Sequence, residues 1–319
     1  MMAATTLRTL DVRRMRVLRE VAARGTIAAA ARALAFTPSA VSQQLAALER
    51  ETGVALLDRR GGRVHLTEAG RRLVGRTEAI LAELEAATAE LEAAAVEVTG
   101  DVHVAAFPSA ERALLAPAIA TLARRHPEVR VRTTELEPED ALPALRLGDV
   151  DLAISHEDVA RPRAPDDRLE RADLLDDPLW LALPRGGLAG VPDPPAGSPV
   201  ALAGLAAARW VATPPGTACR AMVDDACRVA GFVPDTPYHA NDFTVLAAFV
   251  AAGLGVAMVP GLALPAFGGP EVGIHPVADV PVTRRIFAAA RRGGLERPAA
   301  AAMVAALREA AQTRTRNGR

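Results

Sequence analysis

No lysine occurs among the 319 residues, and all 37 basic side chains are arginine. With the abundance of alanine this reads as the coding bias of a GC-rich genome. It leaves phosphate binding open, because a guanidinium stays charged at any pH and bonds phosphate bidentately. Cysteine is scarce: Cys219 and Cys227 are the only two, and no C-x2-C or, among the six histidines, H-x3-H spacing occurs. Neither a metal site nor a cofactor is therefore implied. There is no G-x-S-x-G and no P-loop, and Gly253-Leu254-Gly255 leads into a strand-like run rather than opening a helix, the reverse of a dinucleotide fingerprint. With no nucleophile and base in any recognisable pattern, an enzyme is not expected. The N-terminal residues carry arginines and no apolar core segment, so a secretory signal is not expected and a cytoplasmic location is. The uncharged run 245–267 is long enough to span a bilayer but is broken by Gly253, Gly255, Pro260, Gly261 and Pro265. A buried helix, a turn and a buried strand over 256–259 are expected there instead.

Charge is unevenly spread. Residues 1–75 hold 13 Arg against 6 acidic residues, a net of +7 in a chain whose total is −1. That asymmetry is the electrostatic footprint of nucleic-acid binding. Within this stretch Thr26 begins one short amphipathic helix, Ala35-Phe36-Thr37 breaks it, and Pro38-Ser39-Ala40-Val41-Ser42-Gln43-Gln44-Leu45 begins another. Thr26 and Thr37 stand where N-caps are wanted, and Pro38 at a first helical position loses only an N–H that had no partner. Val41, Leu45 and Leu48 recur at helical spacing as a buried stripe, leaving Ser39, Ser42, Gln43 and Ala46 outward. A helix-turn-helix with a small, polar outer face suits the DNA major groove, where glutamine can bond adenine bidentately. The segment 13–24, with Met15, Leu18 and Val21 on one side and Gly25 after it, predicts a further helix completing a three-helix core. Downstream, Arg59-Arg60-Gly61-Gly62-Arg63-Val64-His65-Leu66 predicts a hairpin, or wing, whose arginines lie against phosphate.

A single long helix is predicted over 67–98, capped by Thr67. Leu81, Leu84, Thr88, Leu91, Ala95 and Val98 alternate spacings of three and four, a near-3.5 repeat that needs a covering partner. From Gly100 the pattern changes to strands over 102–106, 129–133 and 151–155, alternating with helices over 110–125 and 138–147, which predicts a largely parallel sheet covered by helices.

These features in this order resemble the LysR-type transcriptional regulators. The resemblance rests on the Ala-rich first helix, Pro38-Ser39-Ala40-Val41-Ser42-Gln43, Leu48-Glu49, Gly53, Leu56, Arg59 and Leu66-Thr67-Glu68-Ala69-Gly70. It continues through His126-Pro127, Gly148-Asp149-Val150-Asp151-Leu152-Ala153-Ile154, Trp180-Leu181-Ala182-Leu183, Trp210-Val211-Ala212-Thr213 and 250–260. Leu57 and Thr26 stand where the family usually has Phe and Ser, and both keep the physical role. The fold class implied is α plus α/β: an N-terminal winged helix-turn-helix (1–66), a linker and dimerisation helix (67–98), and a two-lobed α/β effector domain like a periplasmic binding protein (99–319). Lobe I would comprise 100–160 and 267–310, and lobe II 161–266. The implied function is sequence-specific regulation of transcription under a small-molecule effector, by a homodimer or homotetramer on an inverted-repeat operator in double-stranded DNA, with RNA polymerase a possible contact and no membrane partner.

For DNA contact the expected residues are Thr37, Pro38, Ser39, Ser42 and Gln43 toward bases, and Arg32, Arg59, Arg60 and Arg63 toward phosphate. For the effector, strand ends and helix starts at the lobe cleft indicate Phe107, Pro108, Ser109, Ser155, His156, Thr213, Pro214, Asn241, Asp242 and Phe243. Ser109 is the leading candidate, with a plain N-cap as its alternative. Glu137-Pro138, where carboxylate-binding relatives often have Gly and a hydroxyl residue, argues against an anionic effector.

Two other readings stay open. Cys219 and Cys227 lie in a predicted helix over 217–230 and resemble the redox segment of peroxide-sensing family members, with Arg220 placed to lower the pKa of Cys219. Eight residues along a helix span about 12 Å, too far for a disulfide unless the helix melts. A solute-binding module without a regulatory role is the other, and it would have no use for the basic N-terminal region. The last residues, 313–319, are expected to form a disordered tail.

Overall fold

The computed structural model describes residues 10–60, 63–93, 98–188, 191 and 194–317. The chain divides into two units, Met1–Leu91 and Glu92–Arg319.

In the first unit, helices α1 (Val12–Arg24), α2 (Ile27–Ala33) and α3 (Pro38–Thr52) enclose a core of Met15, Leu18, Val21, Val41, Leu45 and Leu48. The caps are the expected ones. Thr26 Oγ1 accepts from the Ala29 N–H (3.1 Å), Thr37 Oγ1 from the Ala40 N–H (3.2 Å), and Gly25 and Gly53 end α1 and α3 in the left-handed conformation. Each such N-cap contributes about 1 kcal/mol. The wing is strand β1 (Leu57–Arg60) paired antiparallel with β2 (Arg63–Leu66), and its Gly61-Gly62 turn lies outside the described residues. Glu49 Oε1 accepts from the N–H groups of Leu56 (2.8 Å) and Leu57 (3.1 Å), tying the end of α3 to the start of the wing. Helix α4 (Glu68–Ala93) follows, with Thr67 Oγ1 accepting the Gly70 N–H (3.0 Å) as its cap. Leu84 and Leu91 are 50% and 78% exposed along it, so the apolar seam is uncovered in one chain. Two expected members of that seam differ: Ala95 lies outside the described residues, and Val98 leaves the helix to pack on the core of the second unit.

The second unit begins β-α-β-α-β as its sequence pattern implies. Strand β3 (Gly100–Ala106) leads into one helical run made of α5 (Pro108–Ala110), a π-helical segment Glu111–Leu115, and α6 (Ala116–Arg125). Strand β4 (Val129–Glu135), helix α7 (Pro138–Leu147) and strand β5 (Leu152–Asp158) follow, with β3, β4 and β5 mutually parallel. Strand β6 (Leu169–Pro184) is unusually long. Its first part pairs with β11 (Thr283–Arg291), from Leu169↔Arg291 to Pro178↔Thr283, and its second part with β9 (Ala257–Pro260) and β10 (Val272–Pro276). The β6–β11 pairing moves the lobe boundaries from those expected. Residues 169–178 belong to the sheet of lobe I rather than to lobe II, and 272–276 to that of lobe II rather than to lobe I. Lobe II also holds β7 (Arg209–Ala212) paired parallel with β8 (Asp235–His239), and helices α8 (Ala218–Val229) and α9 (Phe243–Ala251). The 245–267 run holds α9, a turn and β9 in the expected order, and adds a 3-10 segment, Gly261–Phe267, that was not foreseen.

Helix α10 (Pro298–Asn317) covers the lobe I sheet and corrects the expectation of a tail from 313. Thr313 and Thr315 return their hydroxyls to the carbonyls of Glu309 and Ala311, and Arg314 Nη2 donates to the Gly261 carbonyl (3.3 Å). No helix among the described residues is long and apolar enough to cross a membrane.

Candidate functional site

Two surfaces carry the candidate residues, one in each unit. On α3 the buried stripe fixes which side faces out. Thr37, Pro38, Ser39 and Gln43 are exposed and Ser42 is half-buried. The Thr37 and Ser39 hydroxyls lie 3.0 Å apart, and Ser42 Oγ donates to the Pro38 carbonyl (3.0 Å), so the helix start is held by its own short side chains while Gln43 projects freely. Arg14 braces this arrangement from α1, donating from Nε to Gln44 Oε1 (3.1 Å) and pairing with Glu51. Arg32 is exposed on α2. Arg59, Arg60 and Arg63 fall on the wing strands, but their side chains lie outside what is described. Sequence reasoning missed Phe36. Its ring is 51% exposed beside Thr37, in a turn where Ala35 takes a left-handed φ of 53°. An apolar side chain at a polar helix-turn-helix break was the available signal.

In the second unit the candidates separate. Phe107, rather than Ser109, is the N-cap of α5, and it makes no side-chain capping bond. Ser109 is buried, and its hydroxyl accepts from Arg284 Nη2 (3.2 Å). His156 is buried edge-on against the Phe107 ring, with centroids 5.2 Å apart, and the Arg284 guanidinium lies 5.0 Å from the same ring. Arg284 also donates from Nε to Asp177 (2.9 Å), whose carboxylate takes the Leu262 N–H. Arg284 and Asp177 were not foreseen. Their signal was a charged residue in register with the inward-facing Ile286, Ala288 and Ala290. Ser155 is not part of this group, because successive strand residues face opposite sides of a sheet. It lies with Phe287 on the far face.

Across from Ser109, Thr213 Oγ1 meets Thr217 Oγ1 (2.9 Å), and Thr217 caps α8 by accepting the Arg220 N–H. The Pro214 carbonyl accepts the Thr217 hydroxyl (3.0 Å). The Ala218 N–H at this helix start donates to Glu139, which stands in the first turn of α7. The chain thus brings its own carboxylate to the place where an anion would bind a helix N-terminus. Asn241 and Asp242 are exposed. Asp242 caps α9 through the Thr244 N–H (2.7 Å), and Phe243 packs on the lobe II core.

Burial, helped by the charges of Arg284 and Arg163, holds the His156 imidazole well below its ordinary pKa, and its Nδ1 is buried with no hydrogen-bond partner among the described residues. Burial, reinforced by Glu139 and opposed by Arg284, raises the pKa of Glu137, and burial raises that of Asp177 against the pull of Arg284. For His156 the folded pKa lies below the unfolded value, so the unfolded chain takes up the proton first. Stability is complete above pH 6.5 and falls as pH drops beneath it. Urea titrations of wild type and His156→Gln across that range should show the advantage of the wild type narrowing, by up to about 1.4 kcal/mol per pH unit. A constant difference between the two proteins would refute the assignment.

The two cysteines are buried on α8. Burial pushes the Cys219 thiol up to about 11 and the Cys227 thiol up to about 12. Arg220 does not activate Cys219 as expected, because its guanidinium is committed to Asp224 (2.8 Å), Thr236 (2.9 Å) and the Thr213 carbonyl (3.4 Å). Protonated thiols are poor nucleophiles. No cluster of three metal-ligating side chains exists among the described residues.

A helix-turn-helix with an exposed polar face, carried in one chain with a two-lobed α/β domain, defines a ligand-responsive DNA-binding regulator. The family model for the bacterial regulatory helix-turn-helix protein, lysR family, matches residues 12–71, and that for the LysR substrate binding domain matches residues 95–312. The chain belongs to the LysR family of transcriptional regulators. It is 28% identical over 282 residues to the uncharacterized HTH-type transcriptional regulator YfeR of Shigella flexneri, covering 88% of each chain. It is also 34% identical over 172 residues to a probable hydrogen peroxide-inducible genes activator of Mycobacterium xenopi, over 54% of this chain and 88% of that one. Its fold matches a full-length OxyR variant from Pseudomonas aeruginosa with a TM-score of 0.70 at 20% identity, covering 94% of this chain and 95% of that one. Full-length CbnR in complex with its target DNA matches with a TM-score of 0.53 at 24% identity, over 94% and 99% of the two chains.

Proposed function

We propose that this regulator is a cytoplasmic homo-oligomer without enzymatic turnover, reading an inverted-repeat operator through α3. The observation that carries the reading is the exposed row Thr37, Pro38, Ser39 and Gln43 on a helix whose other side is locked into the core. Thr37, Pro38, Ser39, Ser42 and Gln43 meet base edges, and Phe36 adds an apolar contact of the kind that a thymine methyl offers. Arg32, Arg59, Arg60 and Arg63 neutralise phosphate. The uncovered Leu84 and Leu91 seam of α4 pairs two chains, setting two α3 helices about 34–36 Å apart in successive major grooves. RNA polymerase would be met at the promoter so occupied.

The effector sits against Ser109, His156 and Phe107, and its chemistry follows from charge. Arg284 is matched by Asp177, while Glu137 and Glu139 add acidic groups and Glu139 already occupies the start of α8. A neutral or cationic effector fits that arrangement, and a carboxylate does not. The buried, protonated thiols favour this reading over redox sensing. Effector control requires only that one lobe arrangement bind the ligand better than the other.

Binding of the full chain to its own upstream DNA, titrated across salt against a scrambled fragment, tests the reading. A protected inverted repeat is the expected result. Gln43→Ala should reduce discrimination by about 1–3 kcal/mol at one base position, whereas Arg32→Ala should weaken all DNA alike and flatten the salt dependence. Equal losses on specific and random DNA for Gln43→Ala would remove it from the reading face.

A further inference from the structure

Lobe I contains a cavity of about 250 Å³ on the sheet face opposite His156, between α7, the crossover of residues 159–168 and strands β5, β6 and β11. It is separate from the Ser109 group, because Glu157, Phe287 and Ala289 line it while His156 and Arg284 lie on the other face of the sheet. Its floor is apolar: Phe287, Ala289 and Leu142 are all buried there. Its rim is charged, and how those charges are already used decides what could enter.

Each carboxylate at the rim is committed. Asp166 accepts from Arg168 and Arg146. Although burial works upward on its pKa, those bonds hold it at about 2. Glu157 is buried and accepts from Arg171 Nη1 (2.6 Å) and the Arg163 N–H (3.0 Å). Glu170 takes the Gly293 N–H (2.7 Å). Arg171 is spent as well, with its remaining nitrogens on Asp173 and its plane 4.2 Å from the Phe287 centroid. The unspent capacity is cationic and donating. Among the described residues the Arg163 guanidinium has no hydrogen bond or ion pair, and Arg146 engages only through Nε.

We propose that this cavity is a second ligand site, taking a small monocarboxylate with an apolar body whose carboxylate meets Arg163 and Arg146 over the Phe287 floor. Free phosphate would leave the floor uncovered, and an amine would face guanidiniums whose counter-charges are already committed. The floor strands are those of the effector group: His156 follows Ser155 on β5, and Arg284 lies three residues before Phe287 on β11. The charge of Arg163 is also one of those felt by His156. Occupancy of the cavity is thereby coupled to the cleft without a shared contact.

Isothermal titration of the full chain with phenylacetate and hexanoate, against phenylacetamide and hexylamine, tests the site. Both carboxylates should bind saturably, and the amide and amine at least about tenfold more weakly, as expected for a lost charge-assisted hydrogen bond. Arg163 and Ala164 are exposed, so Arg163→Gln and Ala164→Glu should fold normally and each lower carboxylate affinity by about tenfold or more. Ser109→Ala should leave it unchanged. Absence of saturable binding, equal binding of the amide, or wild-type affinity in both rim variants would overturn the proposal. So would a loss confined to Ser109→Ala, which would put the carboxylate in the cleft.

Discussion

Replacing Arg284 with alanine should destabilise the effector-binding unit by about 3–5 kcal/mol, read as an early urea transition in the fluorescence of Trp180 and Trp210. The side chains of Arg284 and Asp177 are only 2% and 4% exposed, so the substitution leaves a carboxylate in an apolar interior. That carboxylate would keep the Leu262 N–H, and the Ser109 hydroxyl would lose its donor as well. The defect has a signature in pH. Burial already raises the pKa of Asp177 against the pull of Arg284, and removing the cation lets it rise further. A raised folded pKa favours the folded state at low pH and penalises it as pH climbs. Arg284→Ala should therefore regain stability on mild acidification, where Asp177 is protonated. Arg284→Met combined with Asp177→Leu should recover most of the loss, since a well-packed apolar pair of similar volume often matches a buried ion pair. A single variant within 1 kcal/mol of wild type would show that the pair does not hold the lobe.

Gly70→Ala should abolish operator binding while leaving the effector-binding unit at wild-type stability. A Cβ at this position would lie 2.2 Å from the Leu56 carbonyl oxygen and 3.1 Å from Leu66 Cδ2. Neither side can move easily. The Leu56 carbonyl accepts the Thr67 N–H (3.0 Å), and Thr67 Oγ1 donates to the Ala55 carbonyl (2.8 Å) while accepting from Gly70. The expected cost is about 3 kcal/mol, at the upper end for overpacking, and it falls on the junction of α4 with the wing. Gly75→Ala is the internal control. It lies on the same helix with nothing within 4 Å of its would-be Cβ, so it should stabilise by about 0.5–1 kcal/mol. If both variants bind DNA normally, close approach at Leu56 is not why glycine stands at position 70.

What was legible in the residues was what local chemistry encodes. Helix α7 begins and ends as expected because Pro138 and Gly148 bracket it, and α3 because Thr37, Pro38 and Gly53 do. The exposed face of α3 followed from the stripe of Val41, Leu45 and Leu48, which needs no tertiary information. Phe107, Ser109 and His156, which the fold brings together, were accessible in the same way: the first two follow the end of β3, and His156 lies near the end of β5. Arg284 and Asp177 were not, since they meet across 107 residues of separation. Ser155 was misassigned by treating two neighbours on one strand as one site, although alternation alone puts them on opposite faces. The lobe boundaries were misplaced because β6 runs unbroken through both lobes, and Pro178, where it passes from one to the other, does not end the strand.

That passage has a genealogical consequence. Chain leaves lobe I at Pro178 and returns at Thr283, and those two residues are cross-strand partners, with the Leu179 N–H donating to the Val282 carbonyl (2.9 Å). Topologically, lobe II is an insertion into a β-hairpin, grafted where a tight turn would otherwise close β6 onto β11. A chain in which a short turn joins residue 178 to residue 283 keeps the strand order β6-β11-β5-β3-β4 and every helix that packs on it from lobe I. The half that carries the apolar-floored cavity could thus have existed as a five-stranded domain before it acquired a second jaw.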